Sequence, residues 1–345
     1  MQKNKRMKAK HILISDPTLR DGNHAVQHQL TKEQVALYCK AADEAGVPIV
    51  EVGHGNGLGA SSLQVGLSLE TDYELITTAR KNLHKSKLAI HVIPGFATIK
   101  RDLENALSWG VDIVRVASHC TEADITQRHI SFTRDKGKTA YGVLMMSHMA
   151  EVNVLVEEAF KMQSYGAEAI IIMDSAGAFL PDDVSKRISA LSDALNIPVG
   201  FHAHNNLGMA IANSLAAIES GALILDGTAR GFGAGAGNTQ LEVLIAVLHK
   251  LGYTTGIDLY KMLDAADIVE NSILKTLPYI SSVSVVSGLA GVFSGFAKHV
   301  ERIAVEYEID PKTLFFNLGL RKVVAGQEDI IIEEAQKLKS KKNVR

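Results

Sequence analysis

Four stretches of the chain repeat one pattern: the end of a helix, a glycine, then an almost unbroken apolar run. They cover residues 44–52, 108–116, 164–172 and 219–226, with Gly46, Gly110, Gly166 and Gly221 at the pivots. Glycine suits the left-handed residue that closes a helix. An apolar run without polar alternation predicts a strand covered on both faces. Each interval between these glycines has room for two strand–helix units. The missing strands are predicted at 88–93, 139–145 and 198–202, and 11–15 supplies a first one.

Helices are predicted between the strands. Thr31-Lys-Glu-Gln34 and Thr71-Asp-Tyr-Glu74 have capping-box form, and Pro181 sits in a first turn. Further helical runs fall at 99–109, 123–136, 151–165, 207–220 and 241–251. The alternation predicts an α/β fold, a TIM (β/α)8 barrel, over residues 11–256. An open doubly wound sheet is the runner-up, but its first turn would carry a phosphate-binding glycine fingerprint. Asp16-Pro-Thr-Leu-Arg-Asp21 has none. Beyond Gly256 the strand pattern stops. Helices are expected at 259–274, 287–307 and 328–338, with Asp310-Pro311 as a cap and first-turn pair, giving a C-terminal helical domain over 257–340. Residues 1–10 and 341–345 read as a flexible basic N-terminus and a tail.

Composition narrows the class. Hydrophobic content of 46% and charged content of 21% describe a globular chain with a sizeable core. A net charge of −2 gives no electrostatic case for nucleic acid or a membrane surface. No apolar run is long enough to span a bilayer. Cys39 and Cys120 offer no disulfide framework, and the basic start lacks a secretory signal's apolar core. The expected location is cytoplasmic.

Candidate chemistry gathers at predicted strand ends. Arg20, Asp21 and His24 follow the first strand, on a loop where Gly22 permits a tight path. His202 and His204, two apart on the seventh strand, point the same way. Asp21 would complete a divalent-metal triad, since strands 1 and 7 lie on either side of strand 8 in a closed barrel. The bland alternatives are a polar turn and a paired core histidine. Nitrogen and oxygen ligands suit Mn2+, Co2+ or Zn2+, and the pattern does not rank them. Glu51, inside the second strand, needs a buried partner, and Arg20 is the natural one. His54 and its glycines read as a substrate-side loop, His119 as loop structure before ligand, and Asp174 as a group orienting a ligand from behind. The loop Gly231-Phe-Gly-Ala-Gly-Ala-Gly237 suits either an anion cradle or close backbone packing. No strand end carries a lysine for imine chemistry, which favours a metal as electron sink.

Asp16-Pro-Thr-Leu-Arg-Asp-Gly-Asn-His24, His202-Ala-His204 and Gly233-Ala-Gly-Ala-Gly-Asn238 resemble the superfamily of hydroxymethylglutaryl-CoA lyases and isopropylmalate synthases. Glu51-Val-Gly-His-Gly55, Ser118-His-Cys-Thr-Glu-Ala-Asp124, Leu144-Met-Met-Ser-His-Met149 and Gly326-Gln-Glu-Asp329 bring the likeness closer to the 4-hydroxy-2-oxovalerate aldolases, class II pyruvate aldolases. The resemblance spans roughly residues 12–335. It implies retro-aldol cleavage of a 4-hydroxy-2-oxo acid to pyruvate and an aldehyde, in the setting of aromatic hydrocarbon catabolism. It implies Mn2+ on Asp21, His202 and His204, Arg20 steadying the enolate, His24 as base, and Arg20, Glu51 and position 293 at the substrate. It also implies an oligomer working with an acylating aldehyde dehydrogenase. Two tyrosines of the family pattern stand here as Phe293 and Leu289, which points to an altered substrate or stereochemical choice. A catalytically weak homologue serving as a partner or binding subunit is the alternative from another class. An acyl-CoA condensing enzyme or lyase fits less well: few residues follow the barrel for a regulatory domain, and the loop 231–237 has no cysteine.

Overall fold

The chain's computed structural model describes residues 10–324 and 326–343. Eight parallel strands close into a barrel in chain order. They are β1 (Leu13–Leu19), β2 (Ile49–Val52), β3 (Lys87–Val92), β4 (Ile113–His119), β5 (Thr139–Met145), β6 (Ala169–Asp174), β7 (Val199–Ala203) and β8 (Ile224–Asp226). Closure is made by β1, which pairs with both β2 and β8. This is the TIM barrel that the repeated pattern predicts, with helices between the strands.

Strand parity decides what faces the axis. Val114 and Val116, Val50 and Val52, and Phe201 and Ala203 pack outward into the shared core beneath the helices. The alternate positions point inward. Ile49, Ala89 and Ile113 fill one patch of the interior, and Ala117, Val143, Ala169, Ile171, Met173 and Ile224 another. The same parity turns Glu51, Arg115, His202 and Asp226 into the barrel, which is why these strands read as apolar runs broken by single charges.

The structure corrects the expected end of β1. Pro17 does not break the strand, which runs on to Leu19 with a register shift between Asp16 and Leu19. A bulge tolerates a proline because it interrupts the ladder there. Asp16 locks the kink, accepting from the Thr18 backbone N–H at 2.9 Å and the Tyr38 hydroxyl at 2.5 Å. Both expected capping boxes form, at Thr31 and Thr71, and Gly46 closes the first helix in the left-handed conformation.

The C-terminal region is helical, as expected, but not in the expected pieces. The single helix predicted at 287–307 is three elements: Ser282–Ala290, a 3-10 turn Ser294–Phe296, and Ala297–Glu306. Gly291, at φ 65° and ψ 37°, ends the first of them. The break turns Val292, Phe296 and Val300 into a second core with Leu314, Phe315, Leu318 and Ile331. By contrast, Met262, Ala265 and Val269 of the helix Leu259–Ser272 belong to the barrel's core. Asp310 caps its helix, with Pro311 in the first turn. The expected flexible N-terminus and tail lie outside the described residues, apart from Lys10 and residues 341–343, which continue the last helix.

Candidate active site

Beyond β1 the chain enters a 3-10 turn, Asp21–His24, over the C-terminal mouth of the barrel. Gly22 is needed there for close approach: a Cβ would lie 2.2 Å from the Phe232 ring. Arg20 turns inward and its Nε pairs with Glu51 Oε1, while its Nη1 donates to Asp21 Oδ1 at 2.7 Å and to the Gly55 carbonyl at 3.3 Å. Glu51 Oε2 lies 2.8 Å from Arg115 Nη1. Arg115 Nη2 donates to Asp226 Oδ2 at 2.6 Å, and the same oxygen lies 2.9 Å from His202 Nδ1. All of these side chains are buried. Burial alone would raise the Glu51 carboxyl, but Arg115 and then Arg20 outweigh it and bring it down to about 2. Burial likewise opposes ionisation of Asp21, yet Arg20 and the imidazoles of His204, His202 and His24 hold it well below the usual carboxylate range.

Asp21, His202 and His204 come together as the sequence predicts. One ligand atom from each lies within 4.8 Å of the others. The donor set fits a divalent cation. His202 commits Nδ1 to Asp226, and its buried Nε2 has no hydrogen-bond partner. That is the tautomer a ligating imidazole takes when a carboxylate holds its other nitrogen. His204, pushed down to about 4 by burial, is neutral at physiological pH and leaves Nδ1 without a partner. Asp21 Oδ2 is aimed by the Asn238 amide at 2.7 Å and the Ala234 N–H at 3.3 Å.

A small cavity opens beside this triad, lined by Arg20, His24, Asn56, His91, Ser175 and Phe293 among others. Burial drives the His24 imidazole down to about 3 despite Asp21 nearby, so the ring is neutral at physiological pH. Arg20 Nη2 is buried with no partner. Phe293 stands edge-on to His24 with ring centroids 6.4 Å apart. The helical region brings it there. The Ser294 N–H donates to the Ser175 carbonyl at 2.9 Å, and the Asn206 amide donates to Ser294 Oγ at 3.0 Å.

The remaining expectations divide. Glu51 stands behind Arg20 and does not line the cavity, so its contact is with the guanidinium. Leu289 is 64% exposed and is not a lining residue. The Asp174 carboxylate accepts from the Ala178 and Phe179 backbone, organising its own loop. The group behind His202 is Asp226, which the sequence reading missed. His54 stacks on His28 at 3.6 Å rather than lining the cavity, although Gly55 and Asn56 do line it. His119 bonds Thr121 at 2.8 Å, away from the triad. The glycine-rich loop is a case of close packing: a Cβ at Gly233 would lie 2.7 Å from Asp21 Oδ2. Arg115 was also missed, though a charge inside Ile113-Val-Arg-Val116 carries the same signal that singled out Glu51.

Residues 11–269 match the HMGL-like family, and residues 278–340 match the DmpG-like communication domain. The chain is 66% identical to a 4-hydroxy-2-oxovalerate aldolase of Pectobacterium atrosepticum, over 96% of each chain. The chain belongs to the 4-hydroxy-2-oxovalerate aldolase family. A second family member, from Spirochaeta aurantia, is 64% identical over 96% of this chain and 97% of its own. One from Streptomyces tendae is 57% identical over 95% and 92%. Among solved structures, the carboxyl transferase domain of Rhizobium etli pyruvate carboxylase superposes with a TM-score of 0.80. It covers 97% of this aldolase-family chain and 61% of its own length, and at 14% identity it shares the fold alone.

Proposed function

We propose that this chain, a carbon–carbon lyase of the aldolase class, cleaves 4-hydroxy-2-oxopentanoate or a near relative to pyruvate and an aldehyde. The observation that carries the reading is the pairing in one cavity of a buried guanidinium nitrogen without a partner, Arg20 Nη2, and a neutral imidazole, His24. Asp21, His202 and His204 would hold the divalent ion, for which Mn2+ is our choice over Co2+ and Zn2+. When bound, the ion supplies Lewis-acid polarisation of the 2-oxo acid. His24 accepts the C4 hydroxyl proton. The C3–C4 bond breaks as the C4–O bond becomes a carbonyl, and its electron pair passes to the pyruvate fragment as an enolate. Arg20, fixed by Glu51 and Asp21, points Nη2 at the negative charge that develops. Protonation at C3 then completes pyruvate.

Residues 278–340 are the part that would engage an acylating aldehyde dehydrogenase to receive the aldehyde, in a cytoplasmic oligomer. Among the described residues no helix is long and apolar enough to cross a membrane.

The test is pyruvate release, coupled to lactate dehydrogenase, across a panel of 4-hydroxy-2-oxo acids with chelator-stripped and Mn2+-refilled protein. Arg20→Ala lowers kcat by roughly 100-fold or more, by analogy with a removed oxyanion donor. Full activity in that variant removes Arg20 from the mechanism. No turnover of any acid by metal-loaded wild type makes the chain a binding subunit instead.

A further inference from the structure

The charges beneath the cavity continue past Arg20 and Glu51. Arg115 heads the fully buried side chains by size. Its fork spans two carboxylates, with Nη1 2.8 Å from Glu51 Oε2 and Nη2 2.6 Å from Asp226 Oδ2, and Nη1 also donates to Ser15 Oγ at 3.1 Å. Each carboxylate then holds a group at the site: Glu51 holds Arg20 Nε, and Asp226 holds His202 Nδ1. The row runs Asp21, Arg20, Glu51, Arg115, Asp226, His202, so it begins and ends on members of the triad.

A guanidinium inside a barrel is a poor way to gain stability, because desolvation cancels much of its attraction and an apolar side chain would fill the space as well. What the fork provides is position. Glu51 reaches Arg115 from β2 and Asp226 reaches it from β8, so the β4 residue cross-links strands on two sides of the interior. Without Arg115, Asp226 keeps only His202, and Glu51 keeps Arg20 with His91 Nδ1 4.0 Å away.

We propose that Arg115 is a positioning residue that sets both halves of the active site at once. Through Asp226 it fixes the ring of His202 for the metal; through Glu51 it fixes the guanidinium of Arg20 for the developing enolate charge. The inference rests on the metal-dependent aldolase reading above.

Calorimetric titration of the chelator-stripped full chain with MnCl2 tests it, using Arg115→Lys, Asp226→Asn, Glu51→Gln and the Arg115→Lys/Asp226→Asn double variant. A lysine keeps the buried charge but not the fork. Arg115→Lys raises the Mn2+ Kd at least several-fold, up to the roughly 10- to 100-fold that losing the partner directly behind a ligand costs. The double variant is no more than about threefold worse than the poorer single, because both changes cut one path. At saturating Mn2+ the Arg115→Lys deficit persists in kcat for pyruvate release, with KM within about threefold, since Arg20 acts on charge that appears during reaction.

A Kd within about twofold of wild type in Arg115→Lys, or effects that multiply in the double variant, overturns the inference and leaves the aldolase reading standing. So does a deficit that vanishes at saturating Mn2+. If Arg115→Lys does not fold, the isosteric variants carry the test. Asp226→Asn must then act on Kd and Glu51→Gln on kcat, and the reverse pattern overturns the inference. Wild type that binds no divalent ion overturns the metal reading, and the inference with it.

Discussion

Phe293 stands at the cavity wall with its ring nearly perpendicular to that of His24, centroids 6.4 Å apart. A hydroxyl there would be a hydrogen-bond donor at the cavity wall; a phenyl ring offers contact alone. The net worth of one neutral hydrogen bond is about 0.5–1.5 kcal/mol, or roughly 2- to 10-fold in a rate ratio. Phe293→Tyr is therefore expected to sharpen discrimination between the two C4 enantiomers of 4-hydroxy-2-oxopentanoate by about that factor. The comparison is the ratio of kcat/KM for the separated enantiomers in both proteins. Identical ratios would remove Phe293 from stereochemical control. The same residue shows how far the sequence could be read. Its identity was visible in the chain, but its partner was not, because 269 residues separate it from His24.

One strand end and one turn make the triad that would hold the metal. His202 and His204 are set by the parity of β7 and its continuation, and Asp21 by the bulge that carries β1 past Pro17. With three protein ligands there is little redundancy. Asp21→Ala, His202→Ala and His204→Ala each lose most bound divalent ion, as mass-spectrometric metal content after stripping and refilling would show. Equal occupancy in all four proteins would make these residues structural. The turn is sensitive to bulk as well as to ligand identity. Gly22→Ala drives a methyl against Phe232 and costs about 1–3 kcal/mol of stability, the usual range for overpacking, with a parallel drop in metal content because Asp21 immediately precedes it. Denaturant unfolding and the metal assay read the two effects separately. The interrupted helix at Gly291 belongs to this scale too. Helical periodicity predicted the apolar face but not the break, which is decided by how that face meets a second core and the Ser175 carbonyl.

The whole molecule carries an acid liability in its buried imidazoles. His28 and His54 stack at 3.6 Å, and burial lowers them to about 2 and about 4. His54 accepts from the Asn56 N–H at 3.0 Å, which fixes an unprotonated nitrogen in the folded state. Both start from an ordinary value of 6.5, so below that pH the unfolded chain takes up protons that the folded chain does not. Stability is therefore held above pH 6.5 and falls as the pH drops. The window closes near pH 4 for His54 and extends lower for His28. Each ring contributes a slope of about 1.4 kcal/mol per pH unit. Denaturant unfolding between pH 7 and pH 4.5 is expected to show this loss, and His54→Gln to flatten it by about one proton's worth. A stability unchanged across that range would contradict the account.

The architecture was legible in the sequence because a parallel barrel imposes a repeated local demand. Each βα unit needs an apolar run and a helix, several turn on a glycine, and local demands leave local patterns. The same logic exposed Arg20, Asp21, His202 and His204, since polar residues at the C-terminal ends of barrel strands have one mouth to face. What only the tertiary structure decided were relations across the barrel. Asp226 stands behind His202, Arg115 joins it to Glu51, His54 stacks on His28 instead of facing the cavity, and the helical region delivers Phe293 to His24. Such pairings depend on register, bulge and inward parity among strands far apart in the chain. Periodicity says which face a residue takes, and only closure of the sheet says what stands opposite.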